Sequence, residues 1–195
     1  MTAISPLQSI HKKGTFGDHQ KQNETDLLSI AELKNLIIVQ IVQYKNSKAE
    51  LRNIKVDSLE LPLESSKVSS NNDTRILWSG PNTWLVLSKK DEIIKNINKN
   101  FDSKNFAITD ISHSRAVIQI KGSNVKEVLK KGCPINFNEF KKNSCAGSVF
   151  NGITIVIDCI EENPQTFNLV TLRSFGESFY HHITDSALEF GYVGI

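Results

Sequence analysis

The sequence predicts an α+β fold made of two interlocked split-βαβ (ferredoxin-like) halves, with antiparallel sheets covered by helices. Three observations carry this. Short alternating or β-branched runs recur along the chain and are broken by turn residues. Helical patterns of modest length fall between them rather than after them. The order reads strand, helix, hairpin, helix, strand, and then strand, helix, hairpin, strand, helix. The 195 residues are enough to bury roughly 70% of the unfolded surface without staples. A hydrophobic content of 39% and a charged content of 23% place the chain among ordinary globular proteins.

Residues 1–34 read as an N-terminal arm. Residues 11–26 are polar, with Gly14 and Gly17, and offer no apolar face. Leu27, Leu28, Ile30 and Leu33 could make a short apolar contact. Residues 35–195 read as one domain, with halves at about 35–111 and 112–195. Residues 36–44 (LIIVQIVQY) form a nearly continuous β-branched run, expected as a central strand covered on both faces. Ser47 and Glu50 have the spacing of a capping box, which predicts a helix to about Ile54. Residues 64–73 (ESSKVSSNND) read as a polar loop.

Residues 75–78 and 83–87 are two strands joined by Ser79-Gly80-Pro81-Asn82, with Trp78 and Trp84 at the two ends. Ser88 and Asp91 predict a second capped helix that buries Ile93, Ile94, Ile97 and Phe101. Residues 106–111 are the next strand. They lead into the stretch that organises the chain, TDISHSRAVIQIKGSNVKEVLKKGCP at 109–134. It holds a polar knot, an alternating strand at 115–120, and a turn at Gly122. A short helix follows, capped by Ser123 and stopped by Gly132, with Val125, Val128 and Leu129 inward. Residues 144–150 and 153–160 form a hairpin around Asn151-Gly152, and 166–172 is the last strand. Ser174 and Glu177 open a final helix with Phe175, Phe179, Ile183, Ala187 and Phe190 on one stripe, ended by Gly191.

A net charge of +2, with the lysines spread along the chain, gives no argument for nucleic acid or membrane as a partner. Cys133, Cys145 and Cys159 are odd in number and contain no C-x-x-C pair, which speaks against a disulfide framework or a zinc site. No apolar run approaches the roughly 18 residues of a membrane span, and residues 1–14 lack a hydrophobic signal segment. The expectation is a cytoplasmic protein. Adjacent helical His181 and His182 point about 100° apart and cannot share a metal. Asp110, Ser112 and His113 hold the groups of a catalytic trio, but in a strand His113 faces away from the other two. A hydrogen-bonded corner is the expected reading. Cys133 follows a helix C-terminus, where the dipole raises a thiol's pKa. Neither G-x-G-x-x-G nor a P-loop is present. Trp78 and Trp84 read as core or interface anchors. The expectation is that the chain is not a self-sufficient catalyst, with no catalytic, cofactor-binding or metal-binding residue of its own.

The motifs also resemble a known family. Leu77 to Leu85 is similar to the W-x-G-P-x-x-W-L signature of the gamma subunit of heterotetrameric sarcosine oxidase. Asp110-Ile111-Ser112, Arg115, Gly122, Lys131-Gly132-Cys133-Pro134 and Arg173-Ser174-Phe175 fall in that family's order, as do Ser5-Pro6-Leu7 and the last helix. Asp110 to His113, followed by the alternating strand and Gly122, also resembles the opening of the aminomethyltransferase (T-protein) of glycine cleavage. Lys131-Gly132-Cys133 resembles the K-G-C motif of folate-binding iron–sulfur-maintenance proteins. There the motif continues as an aromatic and then Gly-Gln-Glu. Here it continues as Pro134-Ile135-Asn136-Phe137, so the folate roles are not carried over.

The resemblance implies a fold like the aminomethyltransferase folate-binding domain and an accessory role in a complex. That complex demethylates sarcosine oxidatively to glycine and hydrogen peroxide and, with tetrahydrofolate, yields 5,10-methylenetetrahydrofolate. It implies FAD, FMN, NAD and zinc on other subunits and none on this chain. The implied partners are the alpha, beta and delta subunits, mainly alpha. Trp78, Gly80, Pro81, Trp84, Asp110, Ser112, His113, Arg115, Lys131, Gly132, Cys133 and Arg173 are then structural or interface candidates. Two other readings compete with this one: a stand-alone folate-binding one-carbon protein, whether aminomethyl transferase, iron–sulfur maintenance protein or folate sensor, and a stand-alone structural protein.

Overall fold

A computed structural model describes residues 4–20, 23 and 26–195. In chain order the strands begin with β1 (Gly14–Phe16), β2 (Leu28–Glu32), β3 (Ile37–Gln43), β4 (Lys55–Val56), β5 (Leu59–Glu60), β6 (Val68–Ser70), β7 (Thr74–Gly80) and β8 (Thr83–Ser88). Helix α1 (Ile93–Asn100) precedes β9 (Phe106–Asp110) and β10 (Arg115–Lys121). Then come α2 (Val125–Lys130), β11 (Cys145–Phe150), β12 (Ile153–Glu162), β13 (Gln165–Leu172), α3 (Gly176–Ala187) and β14 (Tyr192–Gly194). Two compact units result. One gathers residues 35–112 and 143–146, the other 1–34, 113–142 and 147–195.

The first unit is a five-stranded antiparallel sheet in the order β6-β7-β8-β3-β9. β8 and β9 lie on either side of β3 and both run against it, so β8-α1-β9 is a split βαβ crossover. The β-branched run of β3 explains its place beside the sheet centre. Val39 and Ile41 are buried on one face and Ile38 on the other. Val39, Ile41, Ile76, Trp84 and Val86 form one core with Ile93 and Ile97 of α1. Phe101 and Phe106 close it edge to face at 5.0 Å.

The hairpin turn is tighter than the sequence suggested. Gly80 pairs with Thr83, leaving Pro81-Asn82 as the loop, with Asn82 at φ 55°. A bulge falls between Trp78 and Gly80, and Trp78 lies directly opposite Trp84 rather than at the far end. Trp84 is buried and its indole N–H donates to the Pro62 carbonyl at 2.8 Å, while Trp78 is half-buried.

The helix expected after Ser47 is absent. The Ser47 hydroxyl accepts from Gln43 Nε2 and Ala49 N–H and donates to Asn105 Oδ1. It therefore braces a turn instead of capping a helix. A single 3₁₀ turn at Leu51–Asn53 follows, then a small hairpin of β4 and β5. Asp57 and Ser58 turn that hairpin at positive φ (49° and 68°), a conformation usually signalled by Asn-Gly or Asp-Gly. α1 begins five residues beyond Ser88, whose hydroxyl is engaged by Thr74 and Lys90 N–H. The first half therefore holds one helix, not two.

The second unit is a seven-stranded sheet in the order β1-β14-β2-β10-β13-β12-β11. β10 pairs antiparallel with β2 on one edge and with β13 on the other. β2 and β14 run parallel, so the sheet is mixed where the sequence predicts antiparallel throughout. On β10, Ala116, Ile118 and Ile120 are buried as the alternation predicts. Val117 is buried as well, because the strand is central. The Asn151-Gly152 turn matches its signal, with both residues at positive φ (47° and 83°).

The segment read as an extended arm supplies β1 and β2. Residues 21–22 and 24–25 of it, and residues 1–3, lie outside the described residues. The apolar Leu28 and Ile30 belong to an inner strand, and the expected mere apolar contact understates them. α2 buries Val125, Val128 and Leu129 as predicted, but Ser123 does not cap it. Gln165 of β13 accepts from the Lys126 N–H at 2.9 Å. α3 buries Phe179, Ile183 and Ala187. Phe175 precedes the helix in a 3₁₀ turn at Arg173–Phe175 and is exposed, so the stripe is shorter than read.

Replacing Trp84 with Ala empties the largest buried side chain of the first unit and frees the Pro62 carbonyl. We expect a loss of ~3–5 kcal/mol, read as a lower urea midpoint with an unchanged slope.

Candidate functional site

The stretch 109–134 is divided between the two units at Ser112 and His113. In the first unit, Asp110 Oδ1 accepts from the Ser112 N–H at 2.9 Å and from the Ser112 hydroxyl at 2.5 Å. The Ser112 hydroxyl oxygen in turn accepts from the Ile38 N–H at 2.9 Å, and Ile111 N–H donates to the Ile38 carbonyl at 2.8 Å. The serine proton is directed at a carboxylate, not at an imidazole. In a Ser-His-Asp triad an imidazole takes the serine proton at that position. The pair instead extends the β3–β9 ladder around a corner. His113 sits exposed in a 3₁₀ turn at Ser112–Ser114.

In the second unit Arg115 opens β10 half-buried, and burial lowers its guanidinium from the ordinary value. Its donors reach the Ser114 carbonyl and hydroxyl. Lys131 donates to Glu189 at 2.6 Å and to the Ser186 carbonyl at 2.8 Å, and stands 4.9 Å over the Phe190 ring. Gly132 packs against Phe150. A Cβ placed there would lie 2.8 Å from the ring and 2.9 Å from Asn151 Oδ1. Cys133 is buried, and desolvation pushes its thiol up to about 12, so it remains protonated at neutral pH. Lys131, Gly132 and Cys133 are thus all consumed by packing. Arg173 donates to the Ile4 carbonyl.

Three remaining candidates, Trp78, Gly80 and Pro81, lie in the β7–β8 hairpin. Pro81 is exposed at the hairpin tip, and its carbonyl accepts from the Thr83 hydroxyl at 3.2 Å. The Trp78 carbonyl and the Lys67 carbonyl both accept from the Cys145 thiol, at 3.3 and 3.4 Å. Gly80 is held by its pairing with Thr83. A hollow of about 780 Å³ in the first unit is lined by Tyr44, Lys99, Phe101, Asp102 and Ile108 among others. Asp102 there accepts from Lys104 N–H and Asn105 Nδ2, so it is held by its own turn. Among the described residues no three His, Cys, Asp or Glu side chains are grouped to hold a metal. No described helix is long and apolar enough to cross a membrane.

Two polar networks escaped sequence reasoning. Asp57 accepts from Lys90 at 2.7 and 2.9 Å, from Asn71 at 3.0 Å and from Thr74 at 2.8 Å. Burial alone would raise its carboxyl, and these hydrogen bonds outweigh it and hold it below the ordinary value. Glu32 accepts from the Ser5 hydroxyl and, at 3.3 Å, from the Leu7 N–H. Both networks join residues far apart in sequence, so no local pattern announces them.

The motif residues thus sit in a sheet-built scaffold, engaged by hydrogen bonds, an ion pair and close packing. The fold is that of the aminomethyltransferase folate-binding domains. The glycine cleavage system aminomethyltransferase T from Bartonella henselae superposes with a TM-score of 0.63 at 11% identity, over 88% of this chain and 49% of that one. Heterotetrameric sarcosine oxidase from Corynebacterium sp. U-96, in complex with pyrrole 2-carboxylate, includes a chain that superposes with a TM-score of 0.81 at 18% identity. That match covers 96% of this chain and 95% of the other. Residues 50–189 match the model of the sarcosine oxidase, gamma subunit family, and the chain belongs to that family. The sarcosine oxidase gamma subunits of Corynebacterium sp. strains U-96 and P-1 are 25% and 24% identical over 67% and 60% of this chain. The matched stretches span 64% and 58% of those relatives, less than two thirds of their length.

Two outcomes are expected. Gly132→Ala forces a methyl group against a ring fixed edge to face on Phe179 at 5.9 Å. It should cost ~1–3 kcal/mol by overpacking, seen as a lower thermal midpoint. Asp57 has a folded pKa below its unfolded one, so its stabilisation is complete above the unfolded value. It is lost as pH falls through the folded value. Asp57→Asn should therefore lower stability at neutral pH and flatten its decline below about pH 4, measured by denaturant titration across pH.

Proposed function

We propose that this chain is the accessory gamma subunit of a heterotetrameric sarcosine oxidase. It docks onto the alpha, beta and delta subunits, mainly alpha, and carries no catalytic group of its own. The complex converts sarcosine to glycine and hydrogen peroxide, and with tetrahydrofolate it delivers the one-carbon unit as 5,10-methylenetetrahydrofolate. FAD, FMN, NAD and zinc reside on the other subunits. The observation that carries this reading is the fate of the motif residues. The Ser112 proton points at Asp110, Cys133 is buried and protonated, and Lys131 is paired with Glu189. Family membership supplies the complex in which such a scaffold would serve.

The test is co-expression with alpha, beta and delta subunits of a heterotetrameric sarcosine oxidase. The expected result is one complex on gel filtration, with an interface well above roughly 1,200 Å² in its structure. A chain that elutes as a free monomer overturns the reading. The likeness to an aminomethyltransferase favours a second reading, a stand-alone folate-binding protein. Calorimetry of the full chain with tetrahydrofolate separates the two. No heat at high micromolar ligand is expected, and saturable binding by the isolated chain would favour the second reading.

A further inference from the structure

One end of the seven-stranded sheet carries a surface that the fold does not explain. Ile4, Leu172 and Phe175 are large apolar side chains with relative exposures of 68%, 39% and 47%. They belong to segments held together. Leu172 lies directly opposite Arg115 in the β10–β13 ladder, so the two side chains share a face. Arg173 follows Leu172 and donates to the Ile4 carbonyl, and Phe175 completes the same 3₁₀ turn. A Cβ at Gly176 would lie 3.5 Å from both Pro6 and Leu7. The exposure of Ile4 is not that of a loose end. Ser5 and Leu7 are tied to Glu32, whose side chain is only 2% exposed, and Leu7 is fully buried.

The charges at this end are unbalanced. Among the described residues no carboxylate lies in ion-pair range of Arg115 or Arg173, whose recorded acceptors are the Ser114 carbonyl and hydroxyl and the Ile4 carbonyl. Glu177, the acid four residues after Arg173, makes no ion pair with it, and Glu32 already faces Lys34 at 3.9 Å. A half-buried guanidinium without a counter-charge is poorly solvated, and a carboxylate from outside satisfies it bidentately. Arginine and aromatic side chains in an apolar setting are also the usual anchors of protein interfaces.

We infer that the sheet end carrying Ile4, Leu172, Phe175, Arg115 and Arg173 is the docking surface of this chain, and that it takes a protein surface with an apolar patch edged by carboxylates. The inference rests on the accessory-subunit reading and names the partner's chemistry. Arg115 and Arg173 receive its carboxylates, and Phe175 enters its apolar patch.

The test uses the full chain and the purified alpha–beta–delta assembly as the probe. Phe175→Ala and Arg173→Glu should each weaken binding by roughly 30-fold or more, the scale of an interface anchor. The thermal midpoint of Phe175→Ala should stay that of the wild type. Leu63→Ala and Val149→Ala, which trim exposed apolar residues of other elements, should bind as wild type. If the wild type binds and Phe175→Ala and Arg173→Glu bind equally well, the inference fails and the accessory-subunit reading stands. If the wild type does not bind, both fail. If the isolated chain self-associates and Phe175→Ala abolishes that, the occupant is a second copy and the inference is overturned.

Discussion

The backbone pairing of β10, over residues 115–121 with β13 and over 118–121 with β2, is the constraint on which the second unit depends. An inner strand must satisfy every N–H and C=O on each side, and unpaired backbone groups in a core are costly. β10 meets that demand with β13 on one side and β2 on the other, a partner drawn from the far N-terminal part of the chain. That pairing pulls residues 28–32 into the unit and leaves a place for β14 beside them. It also buries Val117 along with the alternating face, so the strand is apolar on both sides. The helices follow from it, since Gly176 of α3 sits close against Ala116.

Much of the α+β architecture was legible because its signals are local. The run at 36–44, the Asn151-Gly152 turn, the stripe of α3 and the burial of Val125, Val128 and Leu129 each depend on residues within a few positions. What was not legible depends on distance. β2 and β14 are strands because of what they lie beside, and neither is strongly patterned alone. The capping-box spacings misled for a related reason. Ser47 and Ser88 found partners far off in sequence, at Asn105 and Thr74, and those hydrogen bonds outcompeted a helix start. At 109–134 the sequence showed which polar residues cluster but not which way their protons point.

The K-G-C motif is fixed by neighbours drawn from two other parts of the second unit. Lys131 is neutralised by Glu189 and stacked over Phe190. Gly132 allows Phe150 to approach closer than any side chain would permit. Cys133 is a small hydrophobe with its proton held on. Each of the three is therefore placed by volume, charge or contact with its neighbours.

The placement of β14 has a consequence for biosynthesis. Tyr192–Gly194 inserts between β1 and β2, pairing with both. β2 can pair with β10 once residues 118–121 have been made, whereas β1 waits for Tyr192–Gly194. Until then β1 and one edge of β2 stay open, and open strand edges are exposed to misassembly. β14 is thus the strand that closes this side of the sheet, and chaperone occupancy during synthesis should fall on residues 14–16 and 28–32.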